Sequence, residues 1–359
     1  MDNIKNLLVL ELSSALAGPA VGQFFAELGA RVIKVENPAT GGDMTRRWKL
    51  PGEPESAPDS AYYWSTNQGK EVRMLNLRES QDREETLDLV RQADIVITNY
   101  QPGSARRLGM DAHSLMALNP RLIYARVFGF GPDDGRPAFD VVLQAEGGYM
   151  YMNGEADGPP VKMPVPMIDI LASHQLREGI LLALLERKDS GRGCIVETSL
   201  LASALSALSN QASNWLMAGH IAGRMGSAHP NITPYGEIFT CREGSPLVLA
   251  VATDVQFRAA CGVLGLSHLA EDARFATNEG RLANRKELLH ILEPAFHQRS
   301  RQEWLDLFAA SDVPAGSIRN MKEVFEQPAA ARMIAEQPLP DGRLARAVRT
   351  VAFDIHHDR

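Results

Sequence analysis

Short apolar runs recur through the first 200 residues, separated by segments of helical length. Leu7–Leu10 (LLVL), Arg31–Val35 (RVIKV), Asp94–Thr98 (DIVIT), Leu122–Val127 (LIYARV) and Cys194–Glu197 read as strands, and the alternating stretch Val72–Leu77 as another. Continuous rather than alternating apolarity marks strands buried on both faces. Strands joined by helices of ten or more residues pair in parallel, with right-handed crossovers and helices on both faces. The spacing predicts helices after Pro19, from Ser80 to about Gln92 with Ser80 as cap, and over Met167 to the LLALLERK run.

From about residue 200 the pattern changes. Leu200–Met217 reads as one long helix, Gly219–Pro234 as a glycine- and proline-bearing loop, and Tyr235 to about Pro328 as short strands and helices. The expected organisation is α/β: a large Rossmann-like domain with a parallel sheet over 1–200, a linker helix and loop over 201–234, and a smaller α+β domain over 235–329. The weakly patterned tail, about 330–359, is expected to return to the large domain.

A chain of 359 residues with 45% hydrophobic and 23% charged residues has enough apolar material for two cores and is not disordered in composition. Net charge of −7 argues against a nucleic-acid partner. The cysteines, Cys194, Cys241 and Cys261, form no CxxC pair, so neither a disulfide framework nor a structural zinc is expected. No apolar run reaches the ~20 residues of a membrane span, and MDNIKNLLVLELSS lacks the features of a signal peptide. A soluble cytoplasmic enzyme without a metal is the expectation.

Ligands of open α/β sheets bind beyond the carboxyl ends of the strands. Those positions here hold Ser13–Pro19, then Glu36 with Gly41, Gly42, Arg46 and Arg47, then Asn99, Tyr100, Arg106 and Arg107, then Gly129 and Gly131. Backbone amides at glycines and arginine forks suit phosphates. Glu36 ends the second strand, where a ribose-binding acid of a dinucleotide site would sit, yet SSALAGPAVG lacks GxGxxG. There is no P-loop, no GxSxG elbow and no HExxH.

Asp169, in MPVPMIDILASHQ, opens an apolar helix. It reads equally as an N-cap and as a poorly solvated carboxylate able to attack an activated carbonyl. Asp140, in RPAFDVVLQAEGG, also precedes a helix and could cap it, as could Asp254. His174, at i+5 from Asp169, reads as packing or rim, and His229 as solvated.

These segments together resemble a known family. GPAVGQFFAELGARVIKVENPATGGDMTR, TNQGKEVRMLNL, DIVITNYQPGSARRLGM, NPRLIYARVFGFG, FDVVLQAEGG and PVPMIDILASHQLREGILLALLERKDSGRG are similar to the class III coenzyme A transferases of CaiB/BaiF type. That family includes formyl-CoA transferase, carnitine CoA-transferase and α-methylacyl-CoA racemase. The resemblance is close over roughly 5–205, with a weaker echo in PYGEIFTCREGSPLVLAVATDVQF.

The resemblance implies an interlocked homodimer and a transfer of CoA from an acyl-CoA donor to a free carboxylic acid through an aspartyl-CoA thioester. Acyl-CoA is then a substrate, and no cofactor is bound permanently. Asp169 falls on the catalytic aspartate, with Asp140 in possible support. Ala15, Leu16 and Ala17 would lie by the pantetheine, Asn37 by the nucleotide, and Leu75 and Arg78 by the adenine. Asn99 and Tyr100 would hold the pantetheine, and Arg107 a phosphate.

Leu16 replaces the glutamine of formyl-CoA transferase, so formyl or oxalyl specificity is not expected. VATDVQF stands where that enzyme has a glycine-rich loop, and the sequence stops at IHHDR, short of the family's usual C-terminal segment. Phe139 occupies the racemase branch's histidine position, which removes a proton carrier and favours transferase over an α-carbon racemase or isomerase. A non-catalytic CoA-binding dimer is the other alternative.

Overall fold

The computed structural model describes residues 2–356. His357–Arg359, the end of the IHHDR run, lie outside the described residues. The chain divides into two compact units. One comprises the residues through Tyr149, Lys162–Ile221 and the segment from Pro328 onward; the other comprises Met150–Val161 and Ala222–Gln327.

The first unit is built on six parallel strands: β1 (Leu8–Leu12), β2 (Arg31–Glu36), β3 (Glu71–Met74), β4 (Ile95–Thr98), β5 (Ile123–Phe128) and β6 (Ile195–Ser199). Their order is β3-β2-β1-β4-β5-β6. Register is set by pairs such as Leu10 with Ile33, Glu11 with Ile97 and Val96 with Tyr124. The chain moves outward from β1 through β2 to β3, then crosses to β4 on the other side. The carboxyl ends of β1 and β4 therefore flank the topological switch point.

One face packs against the helices Ala17–Glu27 and Met167–Ser190, with Val21, Phe25, Ile168, Leu176 and Ile180 in its core. The other face buries Val90, Met110 and Leu115 against Leu10, Ile33 and Tyr124. Each such side chain, fully buried, stabilises the fold by about 1.5–3 kcal/mol.

Several local expectations are corrected. Ser80 is the first helical residue and Glu79 the cap. The helix expected over Leu200–Met217 is broken into Leu200–Ser206 and Ser209–Ala218, with Ser209, the first residue of the second, at φ 47. Residues 201–221, expected in a linker, cluster with the first unit, because Leu200 and Ala204 join the core beside the Met167–Ser190 helix.

The second unit carries an antiparallel sheet of order β7-β8-β9 (Tyr235–Thr240, Pro246–Ala250, Ala315–Ser317). Its core is aromatic, with Phe239 stacked on Phe296 at 4.2 Å between ring centroids. Capping boxes at Thr253 and Ser300 start two of its helices, so Asp254 is not the cap. Asp254 is instead the first helical residue and pairs with Arg281. In the first unit, the weakly patterned tail forms an antiparallel hairpin of β10 (Ile334–Pro338) and β11 (Leu344–Val348). Glu27 holds the strap beyond it, accepting from the Thr350 and Val351 amides at 2.9 Å.

Candidate active site

Among the described residues, two cavities of the first unit bear on the site. The larger, of about 840 Å³, lies beyond the carboxyl ends of β1, β2, β3 and β4. Asn37, Leu75, Arg78, Tyr100 and Arg107 all line it. Two further arginines line it as well: Arg47, and Arg83 on the Ser80–Gln92 helix. Among the described residues, no hydrogen bond or ion pair engages the guanidinium groups of Arg78 and Arg83. Arg107 donates to Ser104 Oγ (2.8 Å) and Arg47 to the Thr40 carbonyl (2.7 Å). Guanidinium groups at one mouth provide bidentate donors for phosphate oxygens.

Asn37 spends its side-chain oxygen on the Ala39 amide, capping a short turn, so its contribution to the cavity is local shape. Asn99 spans the switch point: its amide donates to the Ser14 carbonyl (2.9 Å) and its oxygen accepts from Ser14 N–H (3.3 Å). Ala15, at φ 70, turns the chain into the Ala17–Glu27 helix. Leu16 caps that helix by position only, with no side-chain hydrogen bond, and Ala17 is its buried first residue.

Behind this loop lies a buried ionic network. Lys34 contacts Glu11 at 2.7 Å and Asp43 at 3.0 Å, and Lys70 contacts the other Glu11 oxygen at 2.7 Å; all four side chains are closed to solvent. Burial opposes the charge on Lys34, but Glu11 and Asp43 outweigh it and hold its pKa above the ordinary value. Burial wins at Lys70, which is pushed down to about 8. The network reaches the loop through the Lys34 ammonium, which donates to the Ser13 carbonyl (2.9 Å), and through Asp43, which accepts from Ala15 N–H (3.4 Å). Gly22 leaves the space: a Cβ there would stand 1.9 Å from Glu11 Oε2. Glu36 is not free for a ribose. Arg46 grips both its oxygens at 2.7 and 2.9 Å, Tyr63 donates to it and the Asp43 amide caps it. Charges such as Lys34 and Glu11 inside buried strands were the sequence signal for this network.

Asp169 is half-buried in the first turn of the 24-residue helix Met167–Ser190. It is not the cap. Asp140, the first residue of its own helix, reaches across instead, and its Oδ1 accepts from the amides of Ile168 (2.7 Å) and Asp169 (3.4 Å). Gln144 holds the other Asp140 oxygen. Among the described residues nothing donates to the Asp169 carboxylate. Burial, reinforced by the Asp140 charge, pushes its pKa up to about 7. The Tyr62 phenol is pushed up to about 12 by burial and by the Asp169 and Asp140 charges. Tyr62 left no signal in the sequence. Phe139 precedes Asp140 as the helix cap and is half exposed.

The second cavity, of about 480 Å³, is lined by Leu16, Tyr62, Pro166, Ile170 and Arg177; Pro166 and Ile170 flank Asp169 in the sequence, and the Tyr62 phenol feels its charge. His174 lies exposed at its rim. Leu16 therefore faces this cavity and not the larger one.

The chain matches the model of CoA-transferase family III over residues 4–357. It is 37% identical to a succinate–glutarate CoA-transferase of Agrobacterium fabrum, over 97% of this chain and 88% of that protein. It is 34% identical to the human succinyl-CoA:glutarate CoA-transferase, over 91% of this chain and 75% of that one. A solved CaiB/BaiF family protein from Brucella suis superimposes with a TM-score of 0.83 at 37% identity, covering 98% of this chain and 92% of that one.

Proposed function

The chain belongs to CoA-transferase family III and moves CoA between an acyl-CoA and a free carboxylic acid, and we propose that it does so through a covalent thioester on Asp169. The supporting observation is a half-buried carboxylate, unengaged by donors and made basic by its surroundings, beside a cavity for the acid. Basicity makes it a better nucleophile than a solvated carboxylate. Forming a neutral acyl derivative removes its charge from the neighbourhood of Asp140.

The Asp169 oxygen attacks the acyl-CoA carbonyl; the C–S bond breaks, and a mixed anhydride and CoA thiolate form. The thiolate attacks the aspartyl carbonyl, releasing the donor acid and leaving aspartyl-CoA. The acceptor carboxylate attacks that thioester and expels the thiolate. The thiolate then takes the acceptor acyl group, restoring the Asp169 carboxylate. One negative charge is carried throughout and no proton moves. Each exchange replaces one hard transfer by easier steps.

Arg107 and the neighbouring Arg47 and Arg83 bind the nucleotide phosphates, and Arg78 flanks the adenine. Asn37 and Leu75 border the nucleotide, and Ala15, Ala17, Asn99 and Tyr100 guide the pantetheine toward Asp169. Remote binding of this kind positions the thioester. The acids named for the relatives, succinate and glutarate, are dicarboxylic, and the same class is the substrate here. The enzyme works as a cytoplasmic homodimer with no permanently bound cofactor. Intact-mass measurement after quenching with an acyl-CoA panel tests the mechanism. A hydroxylamine-labile CoA adduct on wild type, absent from Asp169→Ala, is expected. An adduct on the variant would overturn the assignment.

A further inference from the structure

Three arginines are buried among the described residues: Arg177, Arg187 and Arg281. Arg187 pairs with Asp94 (2.9 Å) and donates to two carbonyls. Arg281 pairs with Asp254 (2.8 Å) and donates to the Thr233 and Phe275 carbonyls. Arg177, only 6% exposed, has no hydrogen bond and no ion pair among the described residues. Its guanidinium rests 4.7 Å from the Phe24 ring centroid. Two carboxylates influence it from beyond contact, Glu27 the more strongly and Glu178 the less, and Glu27 is occupied by the Thr350 and Val351 amides and by Gln23. A buried cation without an anion is costly, and its natural complement is a carboxylate.

Arg177 lines the second cavity together with Arg349, and no aspartate or glutamate lines it. Arg177 lies eight residues along the helix from Asp169, about 12 Å at 1.5 Å per residue. Helical side chains lean toward the helix N-terminus, here toward Asp169. We propose that Arg177 is the specificity-determining residue that holds the distal carboxylate of a short dicarboxylic acid while the near carboxylate reacts at Asp169. This rests on the reading of Asp169 as the site of exchange. The donor acid leaves before the acceptor enters, so one subsite serves both acids in turn.

The test compares glutarate with valerate, in which a methyl group replaces the distal carboxylate. The kcat/KM of each acceptor is measured with acetyl-CoA as donor, in wild type, Arg177→Met and Arg177→Lys. In parallel, the thermal shift caused by each free acid is measured in the presence of CoA. Wild type should prefer glutarate, and Arg177→Met should lower the glutarate-to-valerate ratio about 10- to 100-fold. Arg177→Lys should recover part of that ratio. The glutarate thermal shift should vanish in Arg177→Met. A wild type indifferent to the distal carboxylate, or an equal loss for both acids, would overturn the subsite. So would a changed oligomeric mass, which would assign Arg177 to a contact between copies. Absence of exchange with every acid pair would instead overturn the proposed function, and the thermal shift would still decide the subsite.

Discussion

The two cavities of the large unit treat charge in opposite ways. Behind the larger, Lys34, Lys70, Glu11 and Asp43 are out of solvent and satisfied by one another. Beside the smaller, Asp169 and Arg177 are poorly solvated and have no partner of opposite charge within contact. Partnered buried charges fix a backbone path, here the Ser13–Ala15 turn. Unpartnered ones are held at a free-energy cost that a reaction or a ligand relieves.

The sharpest way to break this comparison is to remove one charge of each kind. Asp169→Ala should lower CoA exchange by about 10⁴-fold or more, as removal of a covalent nucleophile does. The Kd for CoA, measured by calorimetry, should change little, because the larger cavity is untouched. Glu11→Ala should do the reverse. Two buried ammonium groups lose their shared carboxylate, which costs about 3–5 kcal/mol of stability. Urea unfolding reads that loss, and a CoA Kd weakened alongside it would tie the network to the loop. A variant as stable as wild type would show that the network does not hold the fold.

The sequence carried the first region better than the second. The apolar runs located the strands to within a few residues, because strands buried on both faces leave a continuous signal. Val72–Leu77 was placed too late, since β3 is an edge strand and its side chains are exposed. The loop residues Asn99, Tyr100 and Arg107 follow β4 directly and were visible for that reason. Arg83 was not, because its neighbours at the cavity come from another loop. Around Asp169 the sequence left two readings open, a cap and a poorly solvated carboxylate, and the cap is the one the structure removes. The capping oxygen comes from Asp140, 29 residues earlier, and no local pattern encodes a cap supplied across the chain. Arg177 drew no reading at all, since a missing partner cannot be seen in sequence.

Smaller effects sharpen the electrostatic side of the comparison. Arg83→Gln and Arg107→Gln should each weaken CoA about tenfold, with less effect at high salt. Equal affinity for CoA in both variants would remove the phosphates from this cavity.

The smallest effects concern pH, and their signs follow from Asp169 being raised from 3.8 to about 7. The nucleophile must be ionised, so adduct formation should rise with pH through about 7. Asp140→Asn removes a neighbouring negative charge and should move that limb downward. For stability, a raised folded pKa means the native state binds the proton more tightly than the unfolded chain. The contribution is complete below 3.8, the unfolded value, and is lost as pH rises through about 7. Asp169→Ala should therefore be more stable than wild type at pH 8, by about 1–2 kcal/mol, less than the whole shift because the group is partly exposed. At pH 4 that advantage should largely disappear. A variant whose melting temperature tracks wild type across this range would mean that Asp169 is satisfied, and the contrast between the two cavities would fail.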